Sequence, residues 1–261
     1  MAQNKGDSDV MIDFHTHLLP NMDDGARSLE ETKIMLQEAE KAGFTKIVLT
    51  SHYLEPYYQA KEDEREGLRK QMQEQTKLSL YLASEIYLSE NMVEKIQQKE
   101  ASTIAGTNYL LFELPFHTKP MNLEHCIYTM REKGYRPILA HPERYEFIQK
   151  EPELVEALLQ KGVLMQGNFG SYIGQYGKKA QNLICKLLFA NQIQFLGTDS
   201  HRPQGIYQQI PQIIAQLEKN LGKEKVEELT QTNPQKVLEN GTVSIEKMEK
   251  LPMSFWDKWK R

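Results

Sequence analysis

Residues 10–17 read VMIDFHTH, an apolar strand-like run that ends in two imidazoles, His15 and His17. Residues two apart on a strand point to the same side, so these two side chains can grip one metal ion together. A single His-x-His pair is weak support for a metal site. Its weight depends on whether other strands end in the same way.

Metal-type side chains follow further apolar runs at equivalent places, and they are His52, Glu85, Glu113, His141, Asp199 and His201. If the strands lie parallel, their carboxyl ends, where functional residues collect, gather these groups on one face. Imidazoles and carboxylates without thiolates suit divalent ions such as Mn²⁺, Fe²⁺, Zn²⁺ or Mg²⁺. The pattern therefore predicts a metal centre at that face.

Two glutamates are informative because they interrupt apolar strands. Glu85 ends the run 80–84, and Glu113 lies between Phe112 and Leu114. An unpaired buried carboxylate is costly. A metal ion would neutralise each of them, and pairing with a nearby arginine or lysine is the alternative. Because the histidines occupy equivalent positions, a metal ion is favoured over pairing with an arginine or lysine.

The chain alternates strand-like and helix-like segments, which predicts the α/β class. Ser28 and Glu31 form a capping box that begins a helix, and Gly43 ends it. Repeated βα units imply parallel strands. Seven strands favour a closed, distorted seven-stranded (β/α) barrel. The predicted strands are 10–15, 45–50, 80–86, 108–113, 136–140, 163–168 and 193–198, and further helices are predicted at 61–78, 121–133, 152–161, 210–221 and 226–238.

We expect one globular domain in the 261 residues, because no linker-like stretch divides them. Residues 1–9 form a polar extension, and residues 10–244 form the barrel. Residues 245–261 form a tail with two tryptophans, predicted to be a helix docked on its own domain. A contact with another subunit or a partner is the alternative, and attachment to a membrane surface is less favoured.

The bulk composition excludes several classes of function. A formal net charge of −4 argues against nucleic acid or an acidic membrane as the main partner. The polar beginning and the lack of a long apolar run predict neither secretion nor membrane insertion. Two cysteines, Cys126 and Cys185, predict a protein of the reducing cytoplasm. The oligomeric state stays open, a homo-oligomer included.

Seven short stretches together resemble the PHP (polymerase and histidinol phosphatase) metallophosphoesterases. Among these, the chain is most similar to the bacterial protein-tyrosine phosphatases associated with capsule and exopolysaccharide synthesis. The resemblance covers roughly residues 11–240. It rests on residues 11–20, 22–26, 50–52, 83–87, 112–115, 140–145 and 198–201.

The resemblance implies a PHP-type barrel with three divalent ions, Mn²⁺ being favoured over Fe, Zn or Mg. It assigns His15, His17, Glu85 and Asp199 to one ion. A second ion shares Glu85 and adds Glu113 and His141, and a third takes Asp24, His52 and His201. For Asp24, the neighbouring Asp23 is an alternative if the loop shifts by one residue, and a plain turn is another.

The resemblance also implies catalytic residues. Arg144 is expected to bind the phosphate through its planar fork, whereas a salt bridge to Glu143 or Glu146 would make it structural. Arg202 directly follows His201 and departs from the family pattern, in which a second arginine comes several residues later. It either supplies the same charge or only lines the rim. His201 or a metal-bound water would protonate the leaving group.

The resemblance implies hydrolysis of phosphotyrosine on a protein, and the predicted metal centre is consistent with a metal-activated hydroxide as the nucleophile. The resemblance implies a bacterial tyrosine kinase of polysaccharide export as the substrate. A small-molecule phosphatase, for example one acting on histidinol phosphate, is the alternative enzyme. A non-catalytic, metal-stabilised regulatory protein is the alternative outside enzymes. His117 and His125 fall outside the strand-end pattern and are predicted at the surface, with His117 also a candidate for the substrate entrance.

Overall fold

The computed structural model describes residues 10–245 and 248–251 of the chain. Within those residues, nine parallel strands form two sheets. The smaller sheet has the order β1-β2-β4, and the larger has the order β3-β5-β6-β7-β8-β9. The strands are β1 (Met11–Thr16), β2 (Phe44–Leu49), β3 (His52–Tyr53), β4 (Ser79–Leu82), β5 (Glu85–Tyr87), β6 (Tyr109–Glu113), β7 (Arg136–Ala140), β8 (Leu164–Asn168) and β9 (Phe195–Gly197).

Helices connect most of the strands, as expected for repeated βα units. They are α1 (Leu29–Lys41), α2 (Glu62–Gln73), α3 (Met92–Gln97), α4 (Leu123–Glu132), α5 (Glu146–Lys150), α6 (Glu153–Gln160), α7 (Phe169–Tyr172), α8 (Gly177–Phe189), α9 (Ile210–Leu221), α10 (Lys223–Glu227) and α11 (Asn233–Leu238). Short 3₁₀ turns occur at Ile104–Gly106, Pro142–Arg144 and Ile206–Gln209, and a π-helical turn, Glu228–Thr232, joins α10 to α11.

Each predicted strand overlaps at least one observed strand, but the count differs. The predicted strand 80–86 is divided into β4 and β5, and β3 was not predicted. At these interruptions the chain leaves the smaller sheet for the larger one, and the amide of Glu85 donates to the carbonyl of Thr50 at 3.2 Å. The described residues thus form two parallel sheets, and the single closed seven-stranded barrel stays a prediction.

The hydrophobic core has two parts. The larger part packs the helices against the sheets. The smaller part collects side chains from six strands, including Phe14 on β1 and Phe195 on β9, whose rings stack with centroids 4.4 Å apart. A Cβ atom on Gly197 would lie 2.7 Å from the Cβ of His15, so only glycine permits this approach of β9 to β1. The two ends of the sheet system therefore meet around a shared interior.

The helix predictions were mostly accurate. The capping box was confirmed in part. The hydroxyl of Ser28 accepts from the amide of Glu31 at 3.2 Å, as predicted, but the Glu31 carboxylate accepts from the backbone amide of Arg27 and not from that of Ser28. The helix predicted at 61–78 ends earlier, at Gln73, whose side chain bonds the backbone of Leu78 and Leu80. No helix was predicted for α8, although its buried residues follow a helical spacing.

The tail is described only in part. Ile245, Met248 and Leu251 pack against the larger core, and the amide of Glu249 donates to the carbonyl of Ala190 at 3.0 Å. The described tail residues are not helical. Most of the predicted helix, including both tryptophans, falls on residues outside the described part. No helix in the described part of the chain has the length and apolar character needed to cross a membrane.

Candidate metal centre

The segments that open and close the sheet system meet at the end of β1. The amide of Asp199 donates to the carbonyl of His15 at 2.8 Å, and the amide of His17 donates to the carbonyl of Ser200 at 3.0 Å. These bonds place residues that are far apart in sequence beside each other. The predicted site residues from both segments are therefore brought together at the end of β1.

The first group of side chains comprises His15, His17, Glu85 and Asp199, and all four are buried. One potential ligand atom from each lies within 4.8 Å of the others. The Nε2 atoms of His15 and His17 lie 3.1 and 3.2 Å from Glu85 Oε2. This group is the set that the resemblance assigned to the first ion.

The second group comprises His17, Asp24, His52 and His201, and it lies nearer the solvent. The Oδ1 atom of Asp24 is 3.3 Å from His201 Nε2 and 3.6 Å from His52 Nε2. Asp23 instead accepts from His17 Nδ1 at 2.7 Å and from the amide of His52 at 2.9 Å. Asp24 thus faces the group, while Asp23 holds two of its histidines in place.

The third group differs from the predicted second-ion set. It comprises His52, Glu85 and Glu113, with His52 Nδ1 lying 3.2 Å from Glu85 and 3.0 Å from Glu113. His141 joins through Glu85, to which its Nε2 atom lies at 2.8 Å. The other ring nitrogen of His141 is buried and has no hydrogen-bond partner among the described residues. Every predicted ligand therefore lies at this one site.

Opposite charges stabilise these groups. Burial would raise the pKa of Glu85, but the imidazoles of His15 and His52 hold the pKa well below its usual value. Burial would lower the pKa of His52, but the carboxylates of Glu85 and Glu113 raise the pKa to about 9. Carboxylates at this density require positive charge nearby. Their oxygens and the imidazole nitrogens are donors for divalent cations, so the residues fit the implied metal.

Two of the predicted ligands have unusual backbone conformations. His141 and Asp199 have φ angles of 35° and 53°, in the left-handed region that residues other than glycine rarely adopt. His141 directly follows β7 and Asp199 comes two residues after β9, and each turns its side chain into the site. Such strain costs about 1–3 kcal/mol per residue and is concentrated at functional sites. The surrounding hydrogen bonds, including one of 2.7 Å from the amide of His141 to Gln166, hold it.

The Arg144 guanidinium lies at the edge of the cluster. Its Nη1 atom donates to Asp199 Oδ2 at 2.7 Å, so the predicted alternative partners, Glu143 and Glu146, are not its ion-pair partners. Its Cζ atom lies 4.9 Å from the ring centroid of Phe116 and 4.1 Å from that of Tyr176. The side chain is thus held beside the predicted metal ligands.

A cleft of about 290 Å³ opens beside this guanidinium, and its lining includes Tyr176, Asp199, His201 and Arg202. The Nη1 atom of Arg202 donates hydrogen bonds to three backbone carbonyls. Those of Asp24 and His201 lie at 2.7 Å, and the third is that of Gly25. It therefore lines the rim and fastens the loop that carries Asp24. His201 is partly exposed and open to the cleft.

Sequence reasoning missed several side chains around the cluster. Gln166 and Asn168 are fully buried on β8 behind His15 and Asp199. The argument that singled out Glu85, a polar residue inside an apolar strand, applies equally to them. Phe116 and Tyr176 had no signal in the sequence, because only the fold brings them to Arg144. His117 and His125 are exposed, which confirms the prediction for both.

The two cysteines lie away from the cluster. Both are free and buried, and neither belongs to a group of potential ligands among the described residues. Burial raises the pKa of the Cys126 thiol and raises the pKa of the Cys185 thiol to about 12. A neutral thiol is a poor nucleophile. The structure therefore gives no support to a mechanism in which a cysteine thiolate is the nucleophile.

The fold and the site define a parallel α/β protein with a cluster of histidine and carboxylate side chains at the carboxyl ends of its strands. The chain belongs to the CpsB/CapC family of capsular polysaccharide synthesis, whose family model matches residues 11–239. This family agrees with the resemblance found in the sequence.

Named relatives support the assignment. The chain is 31% identical to the tyrosine-protein phosphatase YwqE of Bacillus subtilis (strain 168), over 89% of this chain and 93% of the relative. It is 27% identical to the tyrosine-protein phosphatase CpsB of Streptococcus pneumoniae, over 87% of this chain and 98% of the relative.

Solved structures extend the comparison. The chain matches a structure from a study of YwqE from Bacillus subtilis and CpsB from Streptococcus pneumoniae, described as unique metal-dependent tyrosine phosphatases. The TM-score is 0.84 at 30% identity, and the match covers 93% of this chain and 100% of the other. A phosphotriesterase homology protein from Escherichia coli matches with a TM-score of 0.55 at 12% identity, over 89% of this chain and 100% of the other. This second likeness shows a shared fold only.

Proposed function

We propose that the chain is a metal-dependent phosphomonoesterase that hydrolyses phosphotyrosine on a protein. The observation that carries the proposal is the buried group of His15, His17, Glu85 and Asp199 with the Arg144 guanidinium beside it. Relatives that are similar over most of the chain are named tyrosine-protein phosphatases. The substrate we favour is a bacterial tyrosine kinase of capsule or exopolysaccharide synthesis.

Some side chains of the site would bind the metal ions, and others would bind the phosphate group of the substrate. The predicted ligands would hold up to three divalent ions, with Mn²⁺ favoured, and such ions neutralise a phosphate dianion and activate water. Arg144 offers a planar pair of donors that matches two phosphate oxygens. His201 lines the same cleft, and proton transfer from it to the leaving phenolate is the alternative to its role as a metal ligand, since an imidazole nitrogen that binds a cation has no proton to give. Arg202 would add positive charge at the rim.

Metal dependence gives the first prediction. Purified protein treated with a chelator should lose nearly all turnover of a phosphotyrosyl peptide, and added Mn²⁺ should restore it. The measurement is phosphate release, paired with elemental analysis of the same samples. Turnover that persists after the metal content has fallen to zero would refute the proposal. No turnover of any phosphate ester after Mn²⁺ loading would favour a non-catalytic regulatory protein.

Substrate choice gives the second prediction. The aromatic rings of Phe116 and Tyr176 flank the guanidinium of Arg144, and Tyr176 also lines the cleft. We therefore expect kcat/KM for a phosphotyrosyl peptide to exceed that for histidinol phosphate by about 2- to 10-fold, since an aromatic contact contributes about 0.5–1.5 kcal/mol beyond the area it buries. Steady-state kinetics on both esters measures the ratio. Faster cleavage of histidinol phosphate would reverse the assignment.

We further propose that the two sheets act as one distorted seven-stranded barrel of the PHP type. The bonds between His15 and Asp199 and between His17 and Ser200 support this, as does the core shared by six strands. In this proposal residues 10–244 form the catalytic domain, with residues 1–9 and 245–261 as extensions. The two free thiols support a location in the reducing cytoplasm.

A further inference from the structure

Two buried amides of β8 form a directional hydrogen-bonded chain behind the metal cluster. We propose that Gln166 and Asn168, here called the amide relay, are positioning residues that set the His15 tautomer and the Asp199 orientation for metal binding. Both side chains are fully buried. Because they are two residues apart on one strand, they lie on the same face of the sheet. The inference rests on the proposed function, which supplies the metal.

The first half of the relay fixes His15. The Nδ1 atom of His15 lies 2.7 Å from Gln166 Oε1. A carbonyl oxygen only accepts, so Nδ1 carries the hydrogen. In the neutral ring, Nε2 then keeps its lone pair, and this atom lies 3.1 Å from Glu85 and 3.6 Å from Asp199. A histidine ligand whose second nitrogen donates to a carbonyl is the arrangement that raises metal affinity.

The orientation of the Gln166 amide is set by its other bonds. Its Nε2 atom donates to the carbonyl of Gly167 at 2.7 Å and to Asn168 Oδ1 at 2.9 Å. Both partners are acceptors. Rotating the amide by half a turn would place oxygen against two oxygens and would aim a donor at His15. The Gln166 side chain therefore presents only an acceptor to the imidazole.

The second half of the relay fixes Asp199. Because Asn168 Oδ1 accepts from Gln166, its Nδ2 atom is the donor, and it bonds Asp199 Oδ2 at 2.8 Å. Arg144 donates to the same oxygen at 2.7 Å. The other carboxylate oxygen, Oδ1, is left facing His17 at 3.3 Å. One carboxylate oxygen is thus occupied, and the other points into the ligand group.

The relay makes the two ligands interdependent. His15 comes from the strand that opens the sheet system, and Asp199 follows the strand that closes it. Gln166 and Asn168 join them across β8, which lies between β7 and β9. Loss of either amide should disturb both ligands. Partners that orient metal ligands typically contribute about 10–100-fold to metal affinity or activity.

The test is Mn²⁺ affinity of the metal-free full chain, measured by titration calorimetry without substrate. Gln166→Leu should weaken binding by about 10–100-fold. Gln166→Glu keeps an acceptor for His15 but loses the donor to Asn168, so it should weaken binding less than Gln166→Leu without restoring full affinity. Asn168→Ser is too short to reach Asp199 and should also weaken binding. The Mn²⁺ affinity of the double variant Gln166→Leu/Asn168→Ser should be about equal to that of whichever single variant binds less tightly, because effects within one network are not additive.

Gln194→Leu is the matched control. Gln194 is also a buried glutamine, and it bonds the backbone of Met165 and Asn191 without touching the cluster. Its substitution should lower stability and leave the Mn²⁺ affinity unchanged. Circular dichroism identifies the variants that fold, and Asn168→Ser decides the question if Gln166→Leu does not fold.

Two outcomes separate the inference from the function on which it rests. If the unsubstituted protein binds Mn²⁺ and Gln166→Leu and Asn168→Ser bind it equally well, the relay has no positioning role and the inference is wrong. If the unsubstituted protein binds no Mn²⁺, the proposed metal centre itself is wrong. Equal losses in the Gln194→Leu control would also overturn the relay, since any buried amide would then have the same effect.

Discussion

Replacing Glu85 with glutamine is expected to empty the metal centre and abolish most of the activity together. Glu85 is fully buried and lies beside His15, His17, His52 and His141 at 2.8–3.2 Å. The substitution removes the shared charge and replaces one acceptor oxygen with a donor. Bound metal should fall, and kcat/KM should drop by about 100-fold or more, since changes to groups that only orient ligands already cost about 10–100-fold. Elemental analysis and phosphopeptide kinetics measure the two effects.

Glu143→Gln is the matched control for this variant. Glu143 is likewise a fully buried glutamate, but it accepts from the amide of Asn168 at 3.0 Å and from Ser171 Oγ at 2.6 Å and belongs to none of the ligand groups. Its substitution should leave the metal content close to that of the unsubstituted protein. A Glu85→Gln protein that keeps its full metal content would show that the carboxylate is not a ligand.

The positions of most candidate ligands were predictable because the signal is local. Most predicted strands are short apolar runs, and a metal-type residue at or just past the end of such a run needs no tertiary knowledge to be found. Parallel pairing then gathers these ends on one face. His15 and Asp199 are far apart in sequence, yet their meeting follows from topology alone. The residues of the candidate site could therefore be predicted more completely than the number of strands.

The remaining features depend on contacts that the sequence does not encode locally. Asp23 and Asp24 are adjacent and chemically identical, and only the bonds to His17 and His201 assign them different roles. The division of 80–86 into two strands reflects a change of hydrogen-bonded partner, which periodicity cannot show. Arg202 was a candidate phosphate ligand, and its contacts with three backbone carbonyls depend on how the loop at Gly25 folds.

The control for a phosphate-binding role of Arg144 is Arg136, which also lies over an aromatic ring. Its Cζ atom is 5.2 Å from the ring centroid of Tyr109, and it bonds the carbonyl of Gly241 at 2.7 Å. It is on the opposite, amino-terminal end of β7 from His141. Arg136→Ala should therefore leave kcat/KM close to that of the unsubstituted protein, even if it lowers stability.

Arg144→Ala should separate catalysis from metal binding. Asn168 still donates to Asp199 Oδ2 in this variant, so the carboxylate keeps its orientation and the metal content should stay near normal. Loss of charged hydrogen bonds to phosphate costs about 1.5–3 kcal/mol, or about 10–100-fold in kcat/KM. Arg144→Lys keeps the charge but not the planar fork and should recover only part of the loss. If Arg144→Ala also empties the site, the guanidinium acts through Asp199 and not on the phosphate. Elemental analysis beside the kinetics distinguishes the two roles.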